Sequence, residues 1–160
     1  MTAQTHLRLR QTMLWLLLLP CFFAGSNQAA SLREVLAEFE TGTTVPTACA
    51  GDHKIGLNKE VSRYQILPSV WKDYTQSHEY WNPTTAWSVA ERILADRRKA
   101  FRQATGRECD HVDLYLIWNA PGAYAQARYN RKKVSRVVRE RAERFANLAA
   151  ARLAPQLANK

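Results

Sequence analysis

Residues 110–122 read Asp-His-Val-Asp-Leu-Tyr-Leu-Ile-Trp-Asn-Ala-Pro-Gly. Asp110 and Asp113 are the acceptors that a helix start uses. From Val112 to Trp118 the apolar content is almost unbroken. A helix that is apolar all round is a central, buried one. The segment Asn119-Ala120-Pro121-Gly122 then breaks it. This run predicts a mainly α chain built on an enclosed central helix.

Helices on either side of it follow the same logic. Downstream, a helix is expected over about residues 133–153, with Val134, Val137, Val138, Phe145 and Leu148 inward and arginines outward. Upstream, Asn82-Pro83 is a cap followed by a proline at the first helical position. Trp87, Ala90, Ile93, Leu94 and Phe101 keep a helical stripe until Gly106 closes it. Further upstream, Ser31-Leu32-Arg33-Glu34 is a capping box. Leu32, Val35, Leu36 and Phe39 follow it on one face, and the helix ends at Glu40-Thr41-Gly42. Residues 43–62 have no sustained period and read as a long loop with room for a minimal β-hairpin; long irregular segments in small domains are usually functional. Tyr64-Gln65-Ile66-Leu67-Pro68 leads from it into a short helical turn, where Trp71 and Tyr74 can face the core. The sequence contains no internal repeat.

The first thirty residues read as an address. Arg8 and Arg10 precede an apolar run from Met13 to Gly25, followed by small and polar residues up to Ala30. The run is shorter than the roughly 20 residues of an ordinary membrane span, so a signal peptide over 1–30 is expected. An uncleaved leader is then the one route to a membrane. Pro20 before Cys21 is a poor lipoprotein signal. Residues 31–160 are expected to form one domain with one core. The net charge of +9 becomes +7 when the leader takes Arg8 and Arg10 and no acid with it. A basic surface favours a polyanionic partner, and an exported protein, periplasmic or secreted, meets acidic envelope polymers before nucleic acid. Cys49 and Cys109 remain, 60 residues apart. An oxidising compartment permits a disulfide worth roughly 4 kcal/mol, the alternative being two unpaired buried thiols.

Three segments carry the chemistry in order: Glu40-Thr41-Gly42 at a helix end, Tyr64-Gln65-Ile66-Leu67-Pro68 after a loop, and Trp118-Asn119-Ala120-Pro121-Gly122 closing the buried helix. With the Asn82-Pro83 helix between the last two, the set resembles the soluble lytic transglycosylase and goose-type lysozyme superfamily over residues 31–148. The resemblance implies a lysozyme-like helical domain that cuts the β-1,4 bond between N-acetylmuramic acid and N-acetylglucosamine in peptidoglycan, without cofactor or metal. It makes Glu40 the catalytic acid, acting as acid and then base. Where the family has Gly-Leu-Met before the glutamine, this chain has Ser62-Arg63-Tyr64, which predicts a bulkier, more polar cleft floor. Trp118 replaces a tyrosine, and Phe145 stands where many members aim a tyrosine at the site.

The residues support these roles on chemical grounds. Cleaving a glycosidic bond needs a carboxyl group that still holds its proton near neutral pH. An exposed glutamate is protonated about once in 500 molecules at pH 7, and burial raises that fraction. Glu40 falls one turn after Leu36, at the border of the apolar face, whereas Glu38 follows Glu34 on the solvent side. Gln65 and Asn119 have amides that can donate to and accept from sugar hydroxyl and N-acetyl groups. Among Tyr64, Trp71, Trp81 and Trp118, which can stack on sugars, only Tyr64 is assigned to substrate. Asp52 and Glu60 are assigned to the loop. His53, His78 and His111 lack metal-ligand spacing. The protein is expected to be a monomer whose partner is the glycan strand, with no nucleic acid. A hydrolytic lysozyme of the same fold is one alternative. A non-catalytic envelope-binding module using the basic last helix is the other.

Overall fold

The computed structural model describes residues 30–153; the expected leader, Ala30 aside, lies outside them. The chain is mainly helical. Helix α1 spans Leu32–Thr41, α2 Pro68–Tyr74, α3 Pro83–Thr105, α4 His111–Asn119, α5 Pro121–Gln126 and α6 Arg136–Leu153. Short 3-10 turns cover Ala50–His53 and Arg131–Lys133.

The starts and stops follow from local chemistry. Ser31 and Glu34 close a reciprocal capping box, and Gly42 ends α1 in a left-handed conformation at φ 76°. The Asn82 side chain accepts from the amides of Thr84 and Thr85, and Gly106 at φ 70° stops α3. Asp110 accepts from the amide of Asp113 to open α4. Pro121, read in the sequence as a stop alone, also serves as the first residue of α5. Proline suits that position because its missing N–H would be unpaired there anyway.

Helix α4 is the enclosed one: Leu114, Tyr115, Leu116 and Ile117 are each at most 2% exposed. It packs against α6 most extensively, and also against α3 and α5, while α1 packs against α6. Around it the α1 residue Phe39 meets Tyr115 and Phe145 edge-on, at centroid separations of 4.9 and 5.4 Å. Tyr115 and Phe145 stack on each other at 4.9 Å. Three helices from distant parts of the chain thereby converge behind Glu40. Helix α6 buries Ala142, Phe145 and Ala149. Val137, expected inward, is 72% exposed, because the inward stripe falls on alanines that let α6 approach α4 closely.

Residues 42–66 form the long loop. The minimal hairpin reduces to one antiparallel bridge between Val61 and Ile66. Arg63 organises the loop from inside: it pairs with Asp52 and donates to the carbonyls of Val45 and Thr47. The expected bulky, polar cleft floor is therefore corrected. Ser62, Arg63 and Tyr64 are all buried beneath the loop, held there by hydrogen bonds that consume the arginine.

The disulfide is also corrected. Cys49 and Cys109 are both free and half-buried. Cys49 sits at the start of the first 3-10 turn with its Sγ 3.9 Å from Thr43 Oγ1, while Cys109 packs against the main core just before α4. Among the described residues, no helix is long and apolar enough to cross a membrane.

Candidate functional site

A cleft of about 610 Å³ lies between the loop and the helices, with Glu40, Glu60, Gln65, Arg97, Trp118 and Asn119 among its walls. The last turn of α1 delivers Glu40 to it, and only 5% of that side chain is exposed. Burial raises the Glu40 pKa above the ordinary carboxylate value, opposed by the Tyr115 phenol, the Arg141 guanidinium and the Trp118 indole. The Tyr115 hydroxyl donates to Glu40 Oε1 at 2.8 Å, and Arg141 Nη2 donates to Oε2 at 3.0 Å. Arg141 Nε also donates to the Tyr115 oxygen at 2.6 Å, closing a three-residue ring.

Gln65 and Asn119 lie on the walls of the same cleft as Glu40. Gln65 has a left-handed backbone at φ 51°, an unfavourable conformation for a non-glycine residue. Its Nε2 donates to the carbonyls of Lys54 and Ser62, and the adjacent bridge to Val61 pins it further. Asn119 is the exposed last residue of α4.

Tyr64 is a correction. It is 0% exposed, its ring 5.7 Å from that of Trp87, so it belongs to the core rather than to a sugar site. The Val61–Ile66 bridge turns Gln65 outward and the residue before it inward. Trp118 takes the cleft position instead, 8% exposed on its wall. Trp71 is buried in the core. Trp81 is half exposed and stacked on His53 at 6.3 Å.

The two loop carboxylates separate. Asp52 is 2% exposed and engaged by Arg63 away from the cleft. Glu60 reaches the cleft wall, where burial raises its pKa but hydrogen bonds from Asn58 outweigh that and hold it below the usual range. Gly56 makes this wall tight: a Cβ there would stand 2.2 Å from Glu60 Oε2 and 2.6 Å from Gln65 Oε1.

The sequence reading missed Tyr115, Arg141 and Arg97. Tyr115 hides in the apolar run of α4, and Arg141 in a basic helix whose arginines were expected outward. Their partner Glu40 lies 75 and 101 residues away in the chain, so no local spacing signals either contact. Among the described residues, no cluster of three or more His, Cys, Asp or Glu could hold a metal ion. No family model, curated protein or solved structure matches the chain.

Proposed function

We propose that this protein cleaves peptidoglycan glycan strands at the β-1,4 bond between N-acetylmuramic acid and N-acetylglucosamine, with Glu40 as the proton donor. One observation carries the reading: a carboxyl group of raised pKa lines an open cleft whose other walls carry Gln65 and Asn119. Burial keeps a proton on Glu40 at a pH where an exposed glutamate has lost it. As the proton passes to the bridging oxygen, a carboxylate forms. Tyr115 and Arg141 stand in place to receive that charge. Donors aimed at charge that develops in the reaction lower its barrier.

The leaving sugar departs with help from the N-acetyl group of the residue that keeps the anomeric carbon. The Glu40 carboxylate then takes the proton of the C6 hydroxyl as that oxygen displaces the N-acetyl oxygen from the anomeric carbon, giving a 1,6-anhydro end and restoring the protonated acid. Gln65 and Asn119 hold the sugar's hydroxyl and N-acetyl groups. The expected leader makes this an exported, envelope activity.

Glu60 favours a second reading, hydrolysis. It lines the cleft and is held ionised, so it could take a proton from an attacking water. The masses of the products separate the two, since an anhydro end is one water lighter than a hydrolysed end. The role of Glu40 is tested by digesting purified walls with the wild-type protein and with Glu40→Gln. Loss of general acid catalysis is expected to reduce the rate at least about 100-fold. Equal rates for a variant that binds walls normally would leave a non-catalytic envelope-binding module as the better description.

A further inference from the structure

Arg97 projects from α3 onto the cleft wall; Arg33, also half-buried and without a carboxylate, lies off that wall and donates to the Pro83 carbonyl. Arg63, Arg131 and Arg141 are each matched by a carboxylate: Asp52, the pair Asp110 and Asp113, and Glu40. Among the described residues Arg97 has none. Its Nη1 alone donates to the carbonyls of Ile117 and Trp118 at the end of α4, at 3.0 and 2.7 Å. The guanidinium lies over the Trp118 ring at 5.8 Å, and the same indole borders Glu40. Burial depresses the Arg97 pKa, as expected for a desolvated cation without a counter-charge. Capping α4 occupies one nitrogen; Nε and Nη2 have no hydrogen-bond partner among the described residues. Two adjacent guanidinium nitrogens match the two oxygens of a carboxylate.

We propose that Arg97 is an anion subsite that binds a carboxylate pendant from the glycan strand, one indole ring away from the reacting bond. This rests on the glycan-cleaving reading of the same cleft. Two groups on a muramyl residue supply the carboxylate: the lactyl ether when no peptide is attached, and the stem peptide when one is. The subsite makes the enzyme selective for muramyl strands over uncharged polymers of N-acetylglucosamine.

The test measures equilibrium binding in a Glu40→Gln background, where turnover does not intervene. Its ligands are peptide-bearing glycan fragments, fragments stripped of peptide, and N-acetylglucosamine oligomers of equal length. Adding Arg97→Gln is expected to lower the ratio of affinity for carboxylated over uncharged ligand by about 10-fold or more, the usual worth of a hydrogen bond to a charged group. A ratio that falls for peptide-stripped fragments assigns the lactyl carboxylate. One that falls only for peptide-bearing fragments assigns the peptide. An unchanged ratio overturns the subsite. Should Arg97→Gln unfold by losing its α4 contacts, amidating the ligand's carboxylates reads the same interaction without altering Arg97. Amidation is expected to cost a similar factor, and undiminished affinity overturns the proposal. Binding is measured apart from cleavage, so a protein that selects carboxylated strands without cutting walls would retain the subsite and lose the catalytic reading.

Discussion

Glu40 meets two opposed influences within one hydrogen-bond radius. Burial favours the neutral acid, whereas Tyr115 and Arg141 favour the anion. Removing a donor therefore shifts the balance in a defined direction. In Tyr115→Phe the carboxylate loses one of the donors that oppose its burial, so the Glu40 pKa rises further. The general acid proposed here works while protonated, so the alkaline limb of the kcat profile is expected to move to higher pH. The rate at the plateau is expected to fall by roughly 10-fold, because the carboxylate formed on proton transfer loses a charged-group hydrogen bond. Recording kcat from acid to alkaline pH for both proteins checks this. A merely structural role for the phenol would lower the rate without displacing the limb. The ring contacts of Tyr115, stacked on Phe145 and edge-on to Phe39, do not depend on the hydroxyl, so the variant keeps the packing that buries Glu40.

The loop that faces these helices positions the rest of the cleft, and its tightest point is Gly56. In Gly56→Ala the new methyl meets the flexible ends of Glu60 and Gln65 rather than backbone, so those side chains move while the fold stays. KM on glycan fragments is expected to rise several-fold with the melting temperature nearly unchanged, which kinetics and a thermal melt together check. A melting temperature that collapses would show that the loop cannot yield there. The helices themselves were readable because their signals are local. Ser31 with Glu34, Asn82 with Pro83, Asp110 with Asp113, and Gly42 and Gly106 each act within a few residues of the boundary they set. Glu40, Gln65 and Asn119 were readable as short motifs at element ends, and the fold brings them to one cleft. Tyr64 was misplaced because the face a loop residue presents depends on a bridge, Val61 to Ile66, that period alone does not specify. Arg63 was misread for a related reason. Its carboxylate partner, Asp52, lies across an irregular turn whose path composition does not determine. Tyr115 and Arg141 were out of reach because their contacts exist only once α1, α4 and α6 have packed together.

Across the molecule, acids of opposite behaviour set how stability depends on pH. Asp113 is 0% exposed, and Arg107, Arg131 and the Tyr124 hydroxyl all donate to it. Its burial would raise its pKa, yet these partners outweigh that and hold it well below the usual carboxylate range. The Tyr124 phenol, desolvated and bonded to that carboxylate, is pushed up to about 12. Asp52, buried but paired with Arg63, and Asp110, paired with Arg131, are also lowered. A carboxylate whose folded pKa is depressed stabilises the fold above its unfolded value of about 3.9, and that contribution is lost as pH falls through the folded pKa. Glu40 works the other way. Its raised pKa means that the folded state holds the proton more tightly, so stability declines as pH climbs from its unfolded value toward the folded one. The melting temperature is thus expected to rise steeply out of acid, pass a maximum in the mildly acidic range and slope down toward neutrality. Glu40→Gln removes the proton-binding difference and is expected to flatten the neutral side. Asp113→Asn leaves Arg107 and Arg131 without their buried counter-charge. Because Arg107 is half exposed and Arg131 keeps Asp110, the change is expected to cost about 1–3 kcal/mol and to make the acid side shallower. Thermal melts of the three proteins from about pH 3 to 8 would read both limbs at once. If wild type kept gaining stability through neutrality while Glu40→Gln did the same, Glu40 would have an ordinary pKa in the folded protein, and the proton that the proposed reaction requires would not be held there.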